Sequence, residues 1–147
     1  MFTKGFGDGG GYVCDGDTIE TEEGPFRVVA CIVYDDTCSI DDDDCHHTDP
    51  DSETFVGAPE GEYERTQAAR AAWERNEWFY AGVILSVYVG DVCLDEHAAS
   101  LWGIEANYPC AEEYDNSYLK DVANELLPEA LDRAHKALET LLAKVAR

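Results

Sequence analysis

Trp78 to Val89 reads WFYAGVILSVYV, twelve residues that are mostly aromatic or β-branched, with no proline and only Gly82 interrupting. That composition commits the run to a β-strand. Alternate residues form two sets: Phe79, Ala81, Val83, Leu85, Val87 and Val89 on one face, and Trp78, Tyr80, Ile84, Ser86 and Tyr88 on the other. Side chains alternate across a pleated strand, so both of its faces are apolar and it belongs in the interior of a sheet. Gly90-Asp91 follows, with glycine at the first central position of a type II′ hairpin turn. The chain should return through Val92 to Leu94, and again through Leu101 to Glu105.

The remaining elements are placed around this hairpin. Phe26 to Tyr34, FRVVACIVY, is a second strand; Tyr12 to Glu20 alternates weakly around Asp15-Gly16-Asp17, and Gly24-Pro25 makes a turn between them. Residues 1–11 hold five glycines and are expected to be a flexible tail. Glu62 to Asn76 is alanine-rich and helical, with Tyr63, Ala69, Ala72 and Trp73 able to face the core. A C-terminal helix begins after a cap at Asp115 or Asn116. Its stripe of Leu119, Val122, Ala123, Leu126, Ala130, Ala134, Leu138, Leu141 and Val145 would pack on one sheet face, and would equally serve a homodimer. Pro128 should kink or split this helix near Leu127. The expected fold is α+β: one domain over residues 1–147, an antiparallel sheet of about four strands in the order β-β-α-β-β-α, a long C-terminal helix and a shorter central one. A chain of 147 residues can bury roughly 70% of its unfolded surface and needs no staples.

Charge sets limits on partners. Against 32 acidic residues stand 10 basic ones, a formal net charge of -22. From Val28 to Glu64 there are twelve acids and no Lys or Arg, and from Asn76 to Leu119 eight more with none, whereas Lys120 to Arg147 holds five of each. Contact with nucleic acid or an anionic membrane requires a basic patch, so both are disfavoured and basic partners favoured. Residues 35–61 form an acidic loop insertion whose four consecutive aspartates repel one another and must stay solvated. Uniform salt adaptation fits less well, because the C-terminal segment keeps its lysines and arginines. No apolar run reaches eighteen residues, and the start of the chain lacks the hydrophobic segment of a signal peptide. The expectation is a soluble cytoplasmic protein, with its six cysteines mostly free thiols.

Several constellations invite chemistry. Cys38, Cys45, His46 and His47 offer zinc ligands, without the close Cys pair that zinc sites use. Asp41 to Asp44 with Asp49 and Asp51 could attract Ca²⁺ or Mg²⁺, although the alternation and glycine of an EF-hand loop are missing. Cys93 and His97 would stand roughly 13 Å apart along a strand, too far for a nucleophile and its base. Trp73, Trp78 and Trp102 are assigned to the core rather than to a ligand pocket. No acid–base or nucleophile pair has workable spacing, so no enzyme, cofactor or resident metal is expected.

NEWFYAGVILSVYVGDVCLDEHAASLWGIEANYP followed by DNSYLKDVANELLPEAL resembles a set of uncharacterised small proteins of bacteriophages and integrated mobile elements. The shared pattern is an EWxYxGV strand, a SLWGIE stretch and a YLxxVAxEL helix; YVCDGDTIE and RVVACIVYDD are similar too, and residues 35–61 fall outside it. Such elements often carry acidic proteins that neutralise host defence by mimicking DNA, as anti-CRISPR and anti-restriction proteins do. The resemblance therefore implies a non-enzymatic inhibitor that presents carboxylates to the basic groove of a host nucleic-acid-binding complex. The expected contact residues are Asp35, Asp36, Asp41, Asp42, Asp43, Asp44, Asp49 and Asp51, extended by Glu60, Glu62 and Glu64. The alternatives are a phage or mobile-element assembly accessory whose acidity confers solubility, and a small zinc-binding protein.

Overall fold

The apolar run becomes β3 (Phe79–Val89), flanked on both sides by other strands, as its two apolar faces require. A computed structural model describes residues 1–7, 11–39, 62–108 and 116–146. In chain order these form β1 (Thr18–Glu23), β2 (Phe26–Tyr34), α1 (Glu62–Glu74), β3, β4 (Val92–Ala106) and α2 (Ser117–Val145). The strands make one antiparallel sheet in the order β1-β2-β3-β4. This is the α+β arrangement that the apolar periodicities imply. Gly90 turns the β3–β4 hairpin at φ 56, while Asp91 stays out of the left-handed region, the φ pair of a type II′ turn.

β2 occupies its predicted residues. β1 starts later than the weak alternation suggested, because Asp15-Gly16-Asp17 is spent on a turn: Gly16 has φ 93 and its N–H donates to the Ile32 carbonyl at 2.7 Å. β4 is a single strand of 15 residues against the 11 of β3, where the sequence suggested two pieces. The difference is absorbed by register shifts at Ala81/Val83, Leu85/Val87 and Val87/Tyr88. Such bulges bend a strand and re-aim its side chains.

α2 lies across one sheet face. Leu119, Ala123, Leu127, Ala130 and Ala134 are buried at helical spacing against Phe26, Val28, Ala30 and Ile32 of β2 and Ala81, Val83, Leu85 and Val87 of β3. Three alanines in that stripe let helix and sheet backbones approach closely. The helix is continuous through Pro128, where the sequence suggested a break or kink; buried Leu127 and Ala130 anchor the chain on both sides of the lost hydrogen bond. α1 meets the opposite face where Ala72 packs with Trp78 and Tyr80 and the Trp78 indole N–H donates to the Ala69 carbonyl at 2.8 Å.

Two expectations change. The glycine-rich start is not a free tail: Phe2 and Phe6 are buried in the main core. The Phe2 N–H donates to Asn124 Oδ1 at 2.8 Å, and Asn124 Nδ2 donates back to the Phe2 carbonyl at 3.1 Å. Burying two phenylalanines contributes about 3 kcal/mol or more, enough to offset ordering a short flexible segment. Asn116, at the cap position of α2, makes no side-chain cap. It is buried, and its Oδ1 accepts from the Asn107 N–H at 2.9 Å while its Nδ2 donates to Gly11 O at 2.8 Å and Asn107 Oδ1 at 3.0 Å. Asn107 Oδ1 also accepts from the Val13 N–H, and Asn107 Nδ2 donates to the Val13 carbonyl, both at 2.8 Å.

Asn107 sits at φ 62, a left-handed conformation that asparagine tolerates better than most residues. Asn107→Ala should lower unfolding free energy by about 3 kcal/mol, since it strands two buried groups of Val13 and keeps the strained backbone. Asn107→Gly should recover only the backbone part, so urea titrations of the two variants separate the contributions.

Candidate partner-binding face

Among the described residues, the sheet face away from α2 is covered by α1 at the Trp78 and Tyr80 end, and the strand register lays out the rest in rows. One row runs Glu22, Arg27, Tyr88, Cys93; the next sets Glu20 against Val29 and Ser86; a third runs Thr18, Cys31, Ile84, Ser100; Val33 pairs with Gly82 in the last, where the bulge brings in Trp102. The β2 and β3 members other than Gly82 are half-buried, while Glu20, Glu22 and Thr18 are exposed along the β1 rim. Arg27 is spent locally, its guanidinium 4.4 Å over the Tyr88 ring and 3.7 Å from Glu20. The face therefore has an apolar centre bordered by carboxylates. Exposed Asp15 and half-buried Asp17 extend that border, the former accepting from the Tyr34 N–H at 2.7 Å and the latter from the Cys14 N–H at 2.8 Å.

Trp102 projects at the far side. It was assigned to the core but is 43% exposed. The cause is the bulge: Gly82 faces both Trp102 and Gly103, and Gly103 has φ 71. The indole lies flat on Gly82, so closely that a Cβ there would come within 2.4 Å of the ring. Its Nε1–H donates to Ser100 Oγ at 3.2 Å, and His97 Nε2 approaches the same oxygen at 2.7 Å. His97 thus engages Ser100 rather than Cys93. Trp78 is buried as expected, and Trp73 packs partly buried beside it.

The acids named from the sequence have different fates. Asp36 is exposed. Asp35 is not available as a phosphate mimic: it is 4% exposed, and its carboxylate accepts from the Thr37 N–H at 3.0 Å, Thr37 Oγ1 at 2.6 Å and the Gly103 N–H at 3.0 Å. It builds the bulge that displays Trp102. Glu62 and Glu64 fall in the first turn of α1; Asp41, Asp42, Asp43, Asp44, Asp49, Asp51 and Glu60 lie outside the described residues. Asp15, Asp17, Glu20 and Glu22 are not among the acids expected from the sequence, whose weak alternation ends at Glu20; only the observed β1, reaching Glu23, sets Glu20 and Glu22 as neighbours on one face.

Cys14, Cys31 and Cys93 are free thiols, but Cys38 is disulfide-bonded. A disulfide sulfur is no thiolate, which removes Cys38 from the suggested zinc set; Cys45, His46 and His47 lie outside the described residues. Such bonds are uncommon in reducing cytoplasm. No helix among the described residues is long and apolar enough to cross a membrane. The chain matches no family model, no curated protein and no solved structure.

Two measurements check this face. Gly82→Ala should lift the Trp102 ring into solvent, seen as stronger acrylamide quenching that disappears in the Gly82→Ala/Trp102→Phe double variant. Burial, followed by the charges of Asp15 and Asp17, raises the Cys31 thiol above the usual cysteine range. Iodoacetamide near pH 8 should therefore alkylate Cys14 and Cys93 well before Cys31, as read by peptide mass mapping, and Asp15→Asn should narrow the gap.

Proposed function

We propose that this chain is a non-enzymatic acidic binding protein that occupies the basic groove of a host nucleic-acid-binding defence complex, an inhibitor of the anti-CRISPR or anti-restriction type encoded by a phage or mobile element. The observation that carries the reading is a strongly acidic chain whose sheet face away from α2 combines, among the described residues, a carboxylate border with a half-buried apolar centre. Carboxylates at i and i+2 on a strand stand about 6.8 Å apart, half the linear charge density of one DNA strand at one phosphate per about 3.4 Å. One strand cannot imitate a duplex. The acids must work as a two-dimensional array, with Glu20, Glu22, Asp15, Asp17 and Asp36 from the sheet side and Asp41, Asp42, Asp43 and Asp44 from the insertion.

Long-range attraction would make association fast and salt-sensitive, while the apolar centre with Trp102 would supply contact area that survives screening. The partner is a protein with a positive groove, not nucleic acid or membrane, met in the host cytoplasm, where the Cys38 disulfide would have to resist reduction.

The test is an affinity pulldown from native host lysate at low and high salt, with mass spectrometry of the captured proteins. The expected result is a defined nucleic-acid-binding complex, released at high salt and displaced by competing DNA. Replacing Asp41, Asp42, Asp43 and Asp44 by lysine should weaken that capture at least a hundredfold, and Glu20→Lys/Glu22→Lys should weaken it at least tenfold. Capture of virion proteins alone, or capture indifferent to both sets of charge reversals, would sink the reading and leave acidity as a solubility device.

A further inference from the structure

On the opposite side of the molecule, between the start of β4 and the C-terminal half of α2, lies an open groove of about 530 Å³. Its apolar lining comes from Val92 and Leu94 on the strand and Ala137 and Leu141 on the helix. Its charged groups are Asp95 on the strand and, along the helical wall, Arg133, Lys136 and Lys144, the last three being three of only 10 basic residues in the protein. Val92 is 56% exposed and Leu141 42% exposed. β4 is the last strand of the sheet, so among the described residues no strand pairs with its outer edge. An edge strand beside a flanking helix is the geometry in which an extended peptide adds to a sheet, its backbone bonding the edge and alternate side chains entering the groove.

We infer that this groove binds an extended acidic peptide of a partner protein as an added strand on β4. Charge complementarity selects the occupant, and spacing selects its pattern. Lys136 and Lys144 are eight residues apart on one helix, about 12 Å along its axis. Inward-facing strand positions repeat every ~6.8 Å, so residues i and i+4 of a peptide span about 13.6 Å and match that separation. Residue i+2 then lies over Ala137 and Leu141. The motif is acid–x–apolar–x–acid.

Present contacts leave the cations available. Arg133 is 3.4 Å from half-buried Asp95, and Lys136 is 2.9 Å from exposed Asp132, surface pairs of little individual strength. Lys144 has no ion pair among the described residues. A nucleic-acid strand would carry phosphates beyond the groove and against the acidic remainder of the molecule, whereas a short peptide sets two carboxylates only beside Lys136 and Lys144, within a Debye length of about 8–10 Å.

The probe is a fluorescein-labelled Glu-Thr-Val-Thr-Glu peptide with Gly-Ser flanks, and its counterpart is Lys-Thr-Val-Thr-Lys. Fluorescence anisotropy should show saturable binding of the acidic probe at 50 mM salt and at least tenfold weaker binding at 500 mM. Amide exchange of Val92 to Asp95 should slow when the probe is present. The Lys136→Glu/Lys144→Glu variant, whose substitutions lie on the exposed helix surface and whose fold is checked by circular dichroism, should lose the acidic probe at least tenfold and gain the lysine probe. Equal binding of both probes, retention of the acidic probe by the charge-reversed variant, or unchanged exchange in β4 would overturn the inference. So would a dimer that the charge reversal dissolves without any peptide binding, which would assign the groove to a second copy of the chain.

Discussion

The pairing of Asn107 with Asn116 is the interaction on which the rest of the architecture depends. It lies where three separate parts of the chain converge: the segment at Gly11 and Val13 ahead of β1, the end of β4, and the start of α2. Both residues are buried, and the recorded bonds use both side-chain oxygens and both amide nitrogens. A polar pair in that position is stabilising only because its demands are met; half-satisfied, it would be worse than an apolar pair. Asn107 takes a left-handed backbone at the end of β4, and its side chain fastens the segment at Val13.

How much of this could be read from the sequence depended on whether local pattern or distant contact decides each element. β2 and β3 are continuous β-branched and aromatic runs, and α2 repeats its apolar residues at helical spacing, so burial alone specifies them. β4 has no such pattern. Its continuity depends on bulges, and the one under Trp102 is held by a carboxylate 68 residues earlier in the chain. No window around Trp102 contains that information, which is why its exposure was not legible. The buried start failed for a different reason: glycine content outweighed two phenylalanines whose pocket is made by strands and a helix far downstream. Of the candidate face, the carboxylates of β1 became neighbours only once the strand was seen to reach Glu23, and the apolar centre became visible only when α2 was seen to cover the other side.

Charge is spread unevenly over the molecule. Carboxylates border the sheet face away from α2, and three of the ten basic residues, Arg133, Lys136 and Lys144, line the groove beside α2. In a chain of this net charge, self-repulsion disfavours association of copies, yet an uneven distribution permits two different partners without competition. The apolar components differ as well: a broad half-buried field around Ile84 and Val29 on one side, and a narrow slot beside an edge strand on the other. A broad field suits a protein surface, and a slot suits a single extended segment.

The carboxylate of Asp35 carries a warning for any scan that neutralises the acids one at a time. Removing it would free the Gly103 amide and the Thr37 hydroxyl together, relax the bulge and let the indole leave its glycine. Such a variant would lose affinity as completely as one stripped of a true contact, without the residue ever touching a partner. Only a fold-sensitive readout taken alongside binding tells the architect of a surface from its occupant.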